Sequence, residues 1–246
     1  MRAHNSWLIT VTEKLTKEDQ EKISEDEYEL GTIRVFVSYS SDDKYLAGDV
    51  KRILEQYGLT VFLAHDDIEP TFEWQTEIIK NLNECDVFIP ILTRSFSNSE
   101  WTDQEVGMAF GLEKLIIPLK VDTDPYGFIS KIQACKLDVE KPSRTCLKII
   151  NVLKVSKFRE SLIDSLLHGL EEANSFASAN QMIEVLKDIE NLTGEQINHI
   201  VRIAIRNNQV RFSNQGIKFL KSIIDEHTSK LDVFLVETYL KVKDTF

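Results

Sequence analysis

The sequence predicts an α/β fold, a doubly wound parallel sheet, joined to an all-α domain of stacked helical hairpins. Three observations carry this expectation. Between residues 33 and 142, short β-branched and aromatic runs alternate with amphipathic stretches of helical period, which implies right-handed crossovers and a parallel sheet covered on both faces. From residue 143 onward the strand-like runs stop, and apolar residues recur only at helical spacing. Within that last stretch Asn180-Gln181-Met182-Ile183-Glu184-Val185-Leu186-Lys187 returns as Asn214-Gln215-Gly216-Ile217-Lys218-Phe219-Leu220-Lys221, an offset of 34 residues. Paired helices stacked on one another have a period of this size.

The elements follow in order. Residues 1–32 form an acidic arm, mostly charged between 13 and 29 with sparse apolar residues (Leu15, Ile23, Tyr28), and read as a solvated helix or extension. Residues 33–39, IRVFVSY, make the first strand. The cluster Ser40-Ser41-Asp42-Asp43 suits a helix cap. A helix to about Tyr57 follows, with Leu46, Val50, Ile53 and Leu54 on one face and Gly58 ending it. Residues 59–64 are the second strand, 65–73 a polar loop containing Pro70, and 74–83 the second helix. The third strand spans 87–92, the third helix 101–113 and the fourth strand 115–121, with a short helix near Phe128 and a fifth strand near Leu137. The domains are therefore set at 1–32, 33–142 and 143–246.

In the helical region the 34-residue phase runs through Ile149, Ile183 and Ile217; Val152, Leu186 and Leu220; Ile163, Ile197 and Leu231; and Leu166, Ile200 and Phe234. Thr193 with Gln196, and Ser229 with Asp232, have the spacing of capping boxes. A small non-repetitive bundle whose helices share phase is the alternative.

Composition narrows the function. The chain carries 29 basic and 40 acidic residues, a formal charge of −11, and the acid excess resides in the first 142 residues. Nucleic acid is not an expected partner, because phosphate contacts need Lys and Arg. No apolar run approaches the ~20 residues of a membrane-spanning helix. The start of the chain lacks the apolar core of a signal peptide. Cys85, Cys135 and Cys146 have neither the number nor the spacing of a disulfide frame or zinc site. The cytoplasm is the expected compartment.

Ligands of doubly wound sheets sit beyond the carboxyl ends of the strands, which directs attention to the loops after Tyr39, Ala64 and Leu92. Neither GxGxxG nor GxxxxGK[ST] is present, and no G-x-S-x-G elbow occurs. A phosphate-receiver domain has a similar sheet, and Asp42 and Asp43 would suit its magnesium site. It also needs an aspartate at the end of the third strand, however, where Thr93 stands. What remains is Ser99-Glu100-Trp101-Thr102-Asp103-Gln104-Glu105. Trp101 and Glu105 are four residues apart, so an indole and a carboxylate share one helix face, and Ser99 can cap that helix. Taken alone, a glutamate on an amphipathic helix is more often solvated, and Trp101 equally suits packing.

Four segments in this order resemble the Toll/interleukin-1 receptor (TIR) domains in their prokaryotic form: Val35-Phe36-Val37-Ser38-Tyr39-Ser40, Phe62-Leu63-Ala64-His65-Asp66-Asp67-Ile68-Glu69-Pro70, Cys85-Asp86-Val87-Phe88-Ile89, and the segment from Ser99 to Glu105. The resemblance covers residues 33–142 and implies a flavodoxin-like sheet. It further implies that Glu105, the glutamate of a W-x-x-x-E motif, is catalytic for cleavage of NAD+, and that the 65–73 loop (the BB loop) gates the pocket or joins subunits. Many TIR domains have glycine after the loop's proline; this chain has Thr71.

The chemistry fits that implication. Ordinary glycoside cleavage needs two carboxylates, but the nicotinamide of NAD+ is already a pyridinium and departs neutral without a proton. One carboxylate then suffices to stabilise the developing oxocarbenium ion. Trp101 and Phe72 would supply flat apolar walls, while Tyr39, Ser40, Asp43 and Ser99 would complete a substrate-binding set. NAD+ is thus the expected substrate, with no cofactor and no metal. Self-association through the TIR domain and its BB loop, and a protein partner for the helical domain, are the other expected contacts. The competing class is a non-enzymatic TIR adhesion module in which Glu105 only packs or pairs.

Overall fold

The computed structural model describes residues 15–19, 31–64 and 74–244, apart from the side chain of Trp74. Phe72, the 65–73 loop and most of the acidic arm lie outside the described residues. The chain divides into two compact units, Thr32–Ser165 and Leu166–Phe246, the second also taking in Met1–Gly31.

In the first unit β1 (Arg34–Ser38), β2 (Thr60–Leu63), β3 (Val87–Leu92), β4 (Leu115–Ile116), β5 (Leu119–Lys120) and β6 (Cys135–Lys136) build one sheet. Its order is β2-β1-β3-β5-β6 with β4 also on β3, and every pairing is parallel. This is the expected doubly wound topology. The fourth strand, expected as one run over 115–121, is two short pieces, both paired to β3. Pro118 is the physical reason, since it has no N–H to give to the ladder. The neighbouring ladder bonds survive: Ile117 N–H donates to the Phe88 carbonyl at 3.0 Å, and the Pro118 carbonyl accepts from Cys135 N–H at 2.8 Å.

The crossovers are helical. Lys44–Glu55 (α1) opens after a 3₁₀ turn at Ser41–Asp43, and Gly58, at φ +77°, turns the chain into β2. Trp74–Glu84 (α2), the short Arg94–Ser97 (α3) and Glu100–Gly111 (α4) follow. Between sheet and helices lies a core in which Phe36 packs on Phe62 and Phe88 at centroid distances of 5.2 and 5.7 Å. Ile78 and Leu82 of α2 and Val106 and Ala109 of α4 close over it. Full burial of each large apolar side chain contributes ~1.5–3 kcal/mol.

Pro142–Lys154 (α5) belongs to this α/β unit, although the sequence pattern assigned residues from 143 on to the helical domain. It packs on α1. Thr145 Oγ1 secures it to the last strand, donating to the Lys136 carbonyl at 3.2 Å and accepting Asp138 N–H at 3.0 Å. The backward extension of the repeat to Ile149 and Val152 therefore fails: Val152 is exposed where Leu186 and Leu220 are buried. Helical period reports that a helix has an apolar face, not which surface that face meets.

The helix Arg159–Glu171 (α6) contains the division between the units. Beyond it lie α7 (Phe176–Leu186), α8 (Gly194–Arg206), α9 (Asn208–Arg211), α10 (Asn214–Glu226) and α11 (Val233–Val242). α7 packs on α10, and α8 on α11, as stacked hairpins should. Side-chain bonds recur near the repeat length: Asn198 Oδ1 accepts Asp232 N–H at 2.9 Å, Asn180 Oδ1 accepts Gln215 N–H at 2.9 Å, and Asn207 Nδ2 donates to the Ala173 carbonyl at 2.9 Å. Thr193 and Gln196 form the expected capping box. Ser229 and Asp232 do not: Ser229 lies in a 3₁₀ turn, and Asp232 itself caps α11 by accepting from Phe234 N–H at 2.8 Å. Arg211 is buried, and its Nη1 donates to the carbonyls of Ala204 and Ile205 at 2.8 Å each, closing the end of α8. Among the described residues no helix is long and apolar enough to cross a membrane.

Candidate active site

The site grows from two buried surfaces that meet at the carboxyl end of the sheet. Phe36 and Ser38, two residues apart on β1, point to the same face. Phe36 belongs to the core that also holds Val106 and Ala109 of α4. From the other side α4 presents the buried stripe Thr102, Glu105, Val106 and Ala109, the i, i+3, i+4, i+7 pattern of a core-facing helix. A glutamate thus occupies a position where an apolar side chain would be ordinary.

The helix carrying it is firmly placed. Ser99 caps α4, its hydroxyl accepting from Thr102 N–H at 3.4 Å, as its sequence position suggested. Thr102 Oγ1 donates to the Phe96 carbonyl at 2.7 Å and the Ser99 carbonyl at 2.9 Å. Together these bonds fix the helix start and its rotation, which decides where Glu105 points.

Glu105 is 1% exposed and Ser38 fully buried. Ser38 Oγ donates to Glu105 Oε2 at 2.5 Å, within the range of charge-assisted O–H···O⁻ bonds. Among the described residues Oε1 has no hydrogen bond of good geometry, and Trp101 is the other side chain that acts on this carboxyl. Burial pushes the Glu105 carboxyl from 4.5 up to about 7, opposed by the side chains of Ser38 and Trp101, which favour the charged form. Desolvation wins because a carboxylate loses more by leaving water than two neutral donors return. The acid is therefore poised to gain or lose its proton near neutrality, as buried groups at functional sites commonly are.

The other expected site residues distribute as follows. Trp101 shares α4 with Glu105 and packs, half-buried, against the apolar core. Tyr39 is buried directly after Ser38. Ser40 is half-buried, and its carbonyl accepts from Asp43 N–H at 2.7 Å. Asp43 Oδ2 accepts the Thr93 hydroxyl at 2.6 Å, and Asp42 Oδ2 that of Ser95 at 2.8 Å, so the end of β1 is tied to the end of β3. Phe72 lies outside the described residues. Glu105 is buried and faces Ser38 across the gap between α4 and β1. The sequence reading missed Ser38 and Thr93. A signal for Ser38 was present, because the alternation of β1 places it on the Phe36 face.

The fold is similar to the 2-desoxiribosyltransferase from Leishmania mexicana, at 18% sequence identity and a TM-score of 0.33, covering 43% of this chain and 75% of that one. It is also similar to the TIR domains of the activated Roq1 resistosome directly recognizing the pathogen effector XopQ, at 16% identity and a TM-score of 0.35, covering 64% of this chain and 99% of that one. No curated protein matches the chain. The family model described as TIR domain matches residues 35–147, which spans the sheet from β1 to β6, the W-x-x-x-E helix and the start of α5. That segment of the chain is a TIR domain.

Proposed function

We propose that this TIR domain is an NAD+ glycohydrolase/cyclase that cleaves the nicotinamide–ribose bond, acting in prokaryotic antiviral defence or signalling in the cytoplasm. The observation that carries the reading is Glu105, a buried acid held by Ser38 at the carboxyl end of β1 beside the apolar core, with Trp101 one turn before it. In such surroundings a fixed negative charge stabilises a developing cation far more than it would in water.

The step balances simply. The bond between the ribose anomeric carbon and the pyridinium nitrogen breaks, its electron pair goes to the nitrogen, and neutral nicotinamide leaves. The anomeric carbon is then an oxocarbenium ion, which the Glu105 carboxylate stabilises. Water adds to it and releases a proton, giving ADP-ribose. Capture by a nucleophile of the same molecule gives a cyclic ADP-ribose isomer, again with loss of one proton. Turnover requires the shell over Glu105 to open to substrate, which fits activation through self-association at the 65–73 loop and a protein partner acting on the helical domain.

The burial of Glu105 equally favours a second reading, a scaffold that assembles with other TIR domains and uses the glutamate only for packing. Incubation of concentrated protein with NAD+ separates the two. Nicotinamide released by wild type and lost in Glu105→Ala supports catalysis, and mass spectrometry of the product tells ADP-ribose from a cyclic isomer. Release by neither at any protein concentration supports the scaffold, and equal release by both removes Glu105 from the chemistry.

A further inference from the structure

We propose that Ser38 is a positioning residue for Glu105, holding Oε2 and so fixing the direction in which the carboxylate meets the sugar cation. This rests on the NAD+-cleaving reading above. The bond joins two rigid supports. β1 is paired on both sides, with Val37 beside Leu63 of β2 and Ser38 beside Pro90 of β3, so the hydroxyl has little freedom to wander. α4 is pinned at its start by Ser99 and by the two bonds of Thr102. A glutamate side chain has three rotatable bonds, and apolar neighbours do not orient a carboxylate as a fixed donor does.

The chemistry demands a donor at position 38. Alanine or valine there would leave Oε2 buried without a partner, which costs the full desolvation of that atom. The proton would then settle on Glu105, and a neutral acid cannot stabilise a cation. Burial raises the carboxyl pKa, while Ser38 is the larger of two opposing influences and Trp101 the smaller; among the described residues no charged side chain contributes. Ser38 thus touches Glu105 rather than the substrate, and acts on the reaction only through its charge and direction.

The test compares wild type, Ser38→Ala and Ser38→Thr. Nicotinamide release from NAD+ is followed at high protein concentration from about pH 5 to about pH 9, where the acid limb reports the essential carboxylate. In parallel the Glu105 carboxyl is titrated by carbon NMR on glutamate-labelled protein, its resonance assigned with Glu105→Gln. In Ser38→Ala the titration and the acid limb of kcat should move up together by about one pH unit, the size of one lost hydrogen bond to a charged acceptor. KM should change less than kcat, and Ser38→Thr should restore both. A folded Ser38→Ala protein whose Glu105 titration is unmoved overturns the proposal, as does a rate loss uniform across pH. If wild type releases no nicotinamide at any pH, the cleavage reading falls, and the titration still decides whether Ser38 holds the carboxylate.

Discussion

Thr93 joins two strand ends of the sheet: its hydroxyl donates to Asp43 Oδ2 at 2.6 Å while accepting Phe96 N–H at 3.1 Å. One side chain therefore caps α3 and ties the loop after β1 to β3. Thr93→Val keeps the shape and removes both bonds. A cap and a bond to a charged acceptor together contribute about 1–3 kcal/mol. Urea unfolding should show a loss of that order in Thr93→Val and a smaller one in Thr93→Ser. If Thr93→Val unfolds at the wild-type midpoint, the tie contributes nothing.

Glu105 should make the protein less stable as pH rises. Its folded pKa is above its unfolded one, so the native state keeps a proton that the unfolded chain has lost between the two values. The stability this contributes is complete below the unfolded value and is lost as pH rises through the folded one. A rise from 4.5 to about 7 corresponds to a loss of ~3 kcal/mol across that window. Glu105→Gln has no proton to lose and should not show this slope. Denaturant midpoints at acid and at alkaline pH should therefore diverge for wild type and stay closer together for the variant, which also should release no nicotinamide.

Two glycines should respond to alanine with opposite sign. A Cβ at Gly216 would lie 1.9 Å from the Val210 carbonyl oxygen and 2.6 Å from Ser213 Oγ, whereas one at Gly48 meets nothing within 4 Å. Gly216→Ala forces the backbone apart at the start of α10 and should cost ~3 kcal/mol or more. Gly48→Ala, inside α1, should stabilise by roughly 0.5–1 kcal/mol through the greater freedom glycine has in the unfolded chain. Thermal melts of both variants check the pair together.

In the helical unit, Glu171 Oε1 lies 3.0 Å from His199 Nε2. The Glu171 carboxyl is held below its usual value, chiefly by the hydrogen bond from His199. For a lowered acid the sign reverses: the stability is present above the unfolded pKa and is lost as pH falls through the folded one. Glu171→Gln should lower stability by a constant amount at neutral and alkaline pH and flatten the slope on the acid side. An unaltered acid-side slope, read from unfolding below neutral pH, would rule the contact out as a source of stability.

Where local pattern and packing agree, the sequence alone was enough. Residues 87–92 are apolar throughout and bounded by polar turns, and β3 has those bounds. Thr193 and Gln196 needed only their spacing to form a cap. The failures arise where the outcome depends on what lies across a gap in sequence. Thr145 fixes α5 to β6 through one hydroxyl, and nothing in the periodicity of α5 announces that bond. Ser229 and Asp232 have the right spacing, yet Asp232 serves Phe234 N–H directly because the preceding residues tighten into a 3₁₀ turn. Glu105 was legible as a candidate, but its burial was not, because one acid within an otherwise ordinary stripe reads as solvated until the facing serine is known. Ser38 and Glu105 are 67 residues apart, and only the crossover through β2 and β3 brings them together.

The three thiols differ in a way that is useful at the bench. Cys85 and Cys146 are buried, and desolvation pushes them up to about 11 and about 12, so each stays protonated at neutral pH and a poor nucleophile. Cys135, on the edge strand β6, is only half-buried. A maleimide fluorophore added to the native protein should accordingly settle on Cys135, giving a singly tagged molecule without any engineered cysteine. The tag would sit on the α/β unit, where energy transfer between labelled copies would report whether that unit self-associates.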